Sequence, residues 1–252
     1  MTPKPPHSPP SNRRVIEVLA YPAVQLLDVT GPLQVFASAN ALTARAGNAE
    51  PYDVRVVAKD GPTVEASAGV GIAVHPLPAI GTAVDTLVIP GGDGVNAASS
   101  DRILVDWVRK RSADARRTAS VCTGAFLLAA SGALDGRRAV THWGFWEELA
   151  ARFPDVRVES DPIFVRDGTF WTSAGVTSGI DLALALVEDD LGRAAALAVA
   201  RYLVVFLKRP GGQAQFSEIL SLQTADDRFS ALHDWISSHL ADDLSLPTLA
   251  NQ

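Results

Sequence analysis

The 252-residue sequence has one cysteine and one methionine, and its 22 lysines and arginines are outnumbered by 28 acidic residues. A single cysteine cannot close an internal disulfide, so no oxidised framework holds this chain. The formal net charge of −6 argues against a free-standing nucleic-acid binder, because phosphate affinity comes from clustered Lys and Arg. No segment approaches the ~18 consecutive apolar residues of a membrane helix. The first fourteen residues, MTPKPPHSPPSNRR, lack the apolar stretch of a secretory signal. The five histidines stand at no metal-ligand spacing and there is no second cysteine to join them, so neither a metal nor a cofactor is expected. These absences point to a cytoplasmic protein that does not touch a membrane, with a disordered Pro-rich tail over residues 1–14.

What is present is apolar material in a regular rhythm. Hydrophobic residues make up 47% of the chain, enough for a substantial core and incompatible with global disorder. Val15 to Ala20 reads as a buried strand, and Gly31-Pro32 opens a stretch of helical spacing to Arg45. Asp53 to Ala58 alternates as a strand does, and Thr63 to Val74 suits a pair of short strands. Asp85 to Ile89 is a strand ending at Pro90-Gly91-Gly92, Ile103 to Arg111 is helical, and Thr118 to Val121 is again a strand. A helix follows over Thr123 to Ala130, then Ala139-Val140 and a helix from Glu147 to Phe153. Asp167-Gly168 marks a hairpin between Ile163–Arg166 and Thr169–Ser173. Helices close the pattern from Val176 to about Asp190 and from Arg193 to Lys208. The basic run Arg109-Lys110-Arg111, with Arg116-Arg117, reads as a solvated helix end and loop. Such alternation predicts a flavodoxin-like α/β fold, a mostly parallel sheet with helices on both faces.

In sheets of this kind ligands bind beyond the carboxyl ends of the strands, which singles out three segments. In the first, Ser120-Val121-Cys122-Thr123-Gly124, a strand turns into a helix with one thiol at the corner and small residues two positions to either side. Backbone N–H groups and the helix dipole there favour thiolate, and the Thr123 N–H faces whatever binds the sulfur. A free cysteine is also a common small core residue. In the second, Pro90-Gly91-Gly92 offers backbone N–H groups to a carbonyl or anion. In the third, Asp28 falls between the first strand and the first helix. Thr30 or Gly31 is the better cap for a helix whose first turn holds Pro32, which frees Asp28 for the pocket. His142, set among Trp143, Phe145 and Trp146, is a candidate ligand contact or base for Cys122.

These segments resemble the DJ-1/PfpI superfamily, whose fold is related to class I glutamine amidotransferase domains. The resemblance covers about Val15 to Lys208. It is carried by LLDVTGP at 26–32, VIPGGDG at 88–94, SVCTGAFLLAASGALDGRRAVTHW at 120–143 and WTSAGVTSGIDLALALVEDDLG at 171–192. It implies that Cys122 stands where the family has its nucleophile and Asp28 where it has the acidic partner. Gly92 and Thr123 then supply the anion-binding N–H groups. Protease-like members carry His directly after the cysteine; Thr123 stands there instead, so the neighbouring base of hydrolysis is missing. With Asp rather than Glu as the acid, the chain is similar to two subgroups, the isonitrile hydratases and the amidotransferase-like regulators of the AraC family.

The tail separates the two. RYLVVFLKRPGGQAQF at 201–216 resembles the junction between sensor and DNA-binding module in such regulators. Leu232, Trp235, Ile236, His239 and Leu240 then recur at helical spacing, and Ser245 followed by Pro247 is a sound helix start. This resembles the beginning of an AraC-type helix-turn-helix domain. The expected organisation is a sensing domain over 15–208, a linker over 209–230 and a truncated helix-turn-helix over 231–252, with no recognition helix. The expected function is that of a homodimeric regulator binding a small metabolite, or a reactive species such as an electrophile or oxidant, at Cys122, Asp28, Gly91, Gly92, Thr123 and His142, and reaching DNA only through a missing C-terminal module. An isonitrile hydratase-like enzyme is the alternative.

Overall fold

A computed structural model describes residues 13–207, 212, 232, 235–236, 238–239 and 242–249. The chain divides into two compact units, residues 1–213 and 214–252. In the first, β1 (Arg14–Ala20) leads to α1 (Leu26–Arg45), β2 (Tyr52–Ala58), the short strands β3 (Thr63–Glu65), β4 (Gly71–Ala73) and β5 (His75–Pro76), and β6 (Thr86–Ile89). Then come α2 (Val95–Ser100), α3 (Arg102–Asp114), β7 (Arg117–Val121), α4 (Gly124–Ala130), β8 (Arg138–Val140), α5 (Trp146–Arg152) and β9 (Arg157–Glu159). The hairpin β10 (Phe164–Asp167) and β11 (Phe170–Ser173) precedes α6 (Ser178–Leu191) and α7 (Arg193–Leu203).

Seven strands form one sheet in the order β10-β11-β7-β6-β1-β2-β5. Every pairing is parallel except that of β10 with β11. The central strands are buried on both faces, β6 along its whole length, which is why they read as apolar runs rather than alternating ones. Helices α1, α6 and α7 pack on one another, as do α2, α3 and α4, giving the two layers that cover the sheet. The flavodoxin-like reading is therefore correct. Among the described residues no helix is long and apolar enough to cross a membrane.

Several local expectations change. Helix α1 starts at Leu26, so Pro32 lies inside it and Asp28 sits in its first turn rather than in a loop. Neither Thr30 nor Gly31 caps it: Gln25 precedes the helix without a side-chain cap, and the Thr30 hydroxyl donates back to the Leu26 carbonyl at 2.9 Å. A proline is expected in the first turn of a helix, where its missing N–H costs nothing. Here the ring packs toward Gly179 of α6 instead, where an added Cβ would come within 3.4 Å of it. The hairpin pairs Asp167 with Phe170, so its loop is Gly168-Thr169, one residue later than expected, with Gly168 at φ +61°. Helix α7 stops at Leu203, short of Lys208, where Val204 takes a left-handed conformation. The short helix α2 had no sequence signal.

The basic run is solvated at Arg109, Lys110 and Arg116 but not at its other two arginines. Arg111 is fully buried and Arg117 nearly so. Arg111 donates to both Glu17 carboxylate oxygens, at 2.8 and 2.5 Å, and to the Thr82 carbonyl at 2.7 Å. Arg117 pairs with Asp190 at 2.5 Å and Asp189 at 3.2 Å. Helical spacing cannot foresee this, because the acids that draw the arginines inward are remote in sequence.

The expected tail 1–14 lies outside the described residues up to position 12, and Arg13 and Arg14 are ordered, Arg14 in β1. Apart from Gly212, the expected linker 209–230 also lies outside them. In the second unit, Leu232, Trp235 and Ile236 are helical and the Trp235 ring stacks on His239 at 4.4 Å; Leu240 lies outside the described residues. A helix over Leu246–Leu249 begins beside Asp243, whose carboxylate accepts from the Ser245 N–H at 3.0 Å and from the Thr248 hydroxyl at 3.0 Å.

Candidate functional site

Strand β7 enters α4 through Cys122 and Thr123 alone. Cys122 has φ +56°, a left-handed conformation that costs a non-glycine residue about 1–3 kcal/mol and persists only where its surroundings enforce it. They do. Its N–H donates to the Ser173 and Ala174 carbonyls, at 3.1 and 2.9 Å. Its carbonyl accepts from the Thr141 hydroxyl at 2.9 Å. The small residues of the motif have a steric reason: a Cβ on Gly124 would stand 2.1 Å from the Ile89 carbonyl oxygen, and one on Gly91 would stand 2.5 Å from Thr123 Oγ1. The loops after β6 and β7 interlock, and only glycine fits at the crossing.

Asp28 is completely buried beneath this crossing. Its Oδ2 accepts from the Gly91 N–H at 2.9 Å. Its Oδ1 has no hydrogen bond of good geometry, although the Cys122 thiol stands close enough to steady its charge. The Gly92 N–H donates to Thr123 Oγ1 at 3.0 Å, which leaves the Thr123 hydroxyl proton to the Cys122 sulfur. Both glycine N–H groups are thus engaged within the protein, by Asp28 and by Thr123. The sequence pictured them as free to hold an anion.

Electrostatics follows from burial without a nearby cation. Burial lifts Asp28 from 3.8 to about 7, against the Gly91 N–H and the thiol, which both hold it down. Burial first, and then the Asp28 charge, push the Cys122 thiol up to about 12. The N–H groups of Thr123 and Val176 and the Thr123 hydroxyl oppose that rise without cancelling it. The thiolate expected from the strand-to-helix corner is therefore overruled by desolvation, which disfavours any charged form. Tyr21 is the third member of the cluster. Its hydroxyl donates to the Pro90 carbonyl at 2.6 Å. Burial, followed by Asp28 and Cys122, keeps it protonated well above its ordinary range.

Above the thiol lies a cavity of about 370 Å³ whose lining includes Gly92, Cys122, Thr123 and His142. Asp28 and Gly91 stand behind that wall. His142 is pushed down by burial, so it is neutral near pH 7. Its Nδ1 accepts from the Gly144 N–H at 3.1 Å, which places the ring proton on Nε2. That nitrogen presents a donor, so the histidine is suited to holding a ligand and not to deprotonating Cys122.

Further lining residues were missed. Val176 follows β11 and obeys the strand-end rule, as do Asp93 and Asn96 after β6. Gln25 lies in the quoted segment after β1, and its side-chain oxygen accepts from the Ser67 hydroxyl at 3.0 Å. Phe126 of α4, Phe145 of the turn before α5 and Glu148 of α5 complete the wall, and no spacing rule would have found the last two. Among the described residues no group of three or more His, Cys, Asp or Glu could hold a metal ion.

Residues 13–189 match the DJ-1/PfpI family. The chain is 36% identical to isonitrile hydratase from Pseudomonas putida over 179 residues, 70% of this chain and 72% of that protein. It is 31% identical to the HTH-type transcriptional regulator GbdR of Pseudomonas aeruginosa over 210 residues. That match takes in 81% of this chain but 54% of the regulator, so the chain spans about half of its length. The crystal structure of an AraC family transcriptional regulator from Pseudomonas putida superimposes with a TM-score of 0.66 at 23% identity, covering 76% of this chain and 99% of that one. That last likeness is one of fold.

Proposed function

Because the chain belongs to the DJ-1/PfpI family, we propose that it is the sensing domain of an AraC-type transcription regulator and takes a small molecule into the Cys122 cavity. The observation that carries this reading is the state of the thiol. Cys122 is neutral near pH 7, the nearest imidazole offers a proton rather than accepting one, and a neutral thiol is a poor nucleophile. It also resists oxidation, which proceeds through thiolate, so a metabolite suits the site better than an electrophile or oxidant. Thr123, His142 and the wall at Gly92 would orient the ligand, and Asp28 with Gly91 would hold the corner from behind. Bound ligand would shift the populations of a homodimer whose DNA contacts belong to a further helix-turn-helix module, in the cytoplasm. The similarity to a regulator of which the match covers only 54% supports that arrangement.

A second reading has its own observation. The Cys122–Asp28 pairing and the 36% identity to an isonitrile hydratase favour hydration chemistry. The sulfur would bond to the isonitrile carbon while the thiol proton passed through Asp28 to that carbon. Water would then release the N-substituted formamide and restore the thiol. One pair of measurements decides between them. A metabolite panel scored by thermal shift should give a hit that Cys122→Phe abolishes, while an alkyl isonitrile is left unchanged. Formamide production that disappears in Cys122→Ala would overturn the sensing proposal.

A further inference from the structure

A second cavity, of about 350 Å³, lies at the same end of the sheet beyond the ends of β1 and β2. Its apolar walls include Tyr21, Val64, Ala98 and Leu104, and its charged groups are Lys59, Asp60, Glu65 and Asp101. Lys59 pairs with Asp101 and stands 3.8 Å from Asp60. Three carboxylates against one ammonium leave the cavity short of positive charge. That balance, with the apolar walls, fits an apolar molecule carrying a cationic nitrogen.

The two cavities share their dividing wall. Helix α2 and its approach contribute Val95 and Asn96 to the Cys122 cavity, but Gly94, Ala97 and Ala98 to the second. Tyr21 and Pro22 face the second cavity and Gln25 the first; Glu65 faces the second and Ser67 the first. Backbone hydrogen bonds join these segments into one unit: Ala23 N–H to the Glu65 carbonyl at 2.9 Å, Ser67 N–H to the Val24 carbonyl at 2.9 Å, and Gly94 N–H to the Ala23 carbonyl at 3.1 Å. Tyr21 adds a direct link, since its hydroxyl holds the carbonyl of Pro90, the residue before the glycine that binds Asp28.

We propose that this second cavity is a binding site for an apolar primary amine, and that its occupancy is transmitted to the Cys122 cavity through the wall they share. The inference goes beyond sensing at Cys122 and does not require that cavity to be filled. Titration calorimetry with benzylamine, against benzyl alcohol and benzoate, tests it on the whole chain. Benzylamine should bind wild type and Cys122→Ala alike, and Ala97→Phe, at an exposed position on the cavity wall, should abolish binding. Asp60→Asn with Glu65→Gln, both exposed, should weaken it by about fivefold, the upper range for exposed charge pairs. Lys59→Gln should tighten it by a similar factor, because it frees Asp101 Oδ2 while Oδ1 continues to cap α3.

The second readout is alkylation of Cys122, the only cysteine, by N-ethylmaleimide, followed by intact mass. Saturating benzylamine should change its rate at least about twofold in wild type and leave it unchanged in Ala97→Phe. Absence of benzylamine binding, undiminished binding in Ala97→Phe, or equal binding of benzyl alcohol would overturn the site. Binding with an unaltered alkylation rate would overturn the transmission. None of these results bears on whether Cys122 itself senses a metabolite or hydrates an isonitrile, so the two proposals fail separately.

Discussion

Glu17 in β1 and Asp28 in α1 are both withdrawn from solvent, at 1% and 0% exposure, yet they meet opposite surroundings. Glu17 faces the Arg111 guanidinium in a two-pronged pair, and a third guanidinium N–H is taken by a carbonyl. Asp28 faces a thiol, a single backbone N–H and no cation, with one oxygen left without a sound hydrogen bond. The first arrangement neutralises a charge that burial would otherwise make costly. The second leaves the cost in place and shifts protons instead. A buried carboxylate with a full complement of partners belongs to the scaffold. One held short of partners, beside a thiol in a left-handed turn and under a cavity, marks a candidate site.

Four measurements would break or sharpen that contrast. The largest effect is expected from Glu17→Ala, which strands the Arg111 charge in the core and should cost about 3–5 kcal/mol in urea denaturation. A loss under about 1 kcal/mol would mean that the pair is not buried in solution. Next is the reactivity of Cys122. A thiol held at about 12 should react with iodoacetamide at pH 8 at least about a hundredfold more slowly than an ordinary thiol. A rate matching free cysteine would return the corner to nucleophilic chemistry.

The third concerns Asp28 and pH. Its value in the folded chain, about 7, lies above its ordinary 3.8, so the native state keeps a proton that the unfolded chain has already released. That contribution is complete below about pH 4, is lost as pH rises to about 7, and is flat above. Asp28→Asn should remove the slope across this window and raise stability at pH 8, relative to wild type, by up to about 4 kcal/mol. Parallel stability profiles of the two proteins would dismiss the raised value. The smallest effect is expected of Thr141→Val, which removes the hydroxyl from the Cys122 carbonyl and should cost about 1 kcal/mol. Because that bond helps to hold the left-handed turn, the variant should also alkylate faster. An unchanged rate would mean that the Ser173 and Ala174 carbonyls suffice to hold the turn.

Much of this could be read along the chain. Runs such as Thr86–Ile89 announce strands buried on both faces, and the strand-end rule found Cys122, Gly92 and the segment holding Asp28. What went unread depended on partners remote in sequence. Arg111 looks like a solvated helix end until β1 brings Glu17 beneath it. Pro32 looks like a helix start until α6 supplies a glycine against which its ring can pack. Glu148 and Phe145 carry no mark of the cavity they line, because α5 reaches it only through the tertiary packing.

By itself the sequence determined the alternation of strands and helices, the tight corner at Cys122, and the glycines without which the loops after β6 and β7 could not cross. These are local matters of steric size, backbone freedom and apolar period, and each is decided within a few residues. Only the tertiary structure decided what the corner is chemically. The direction of the Gly91 and Gly92 N–H groups, the proton on His142 Nε2 and the rise of both Asp28 and Cys122 all depend on which groups the fold brings near and how far it excludes water. The same thiol with a cation beside it would be an anion; buried against Asp28, it keeps its proton.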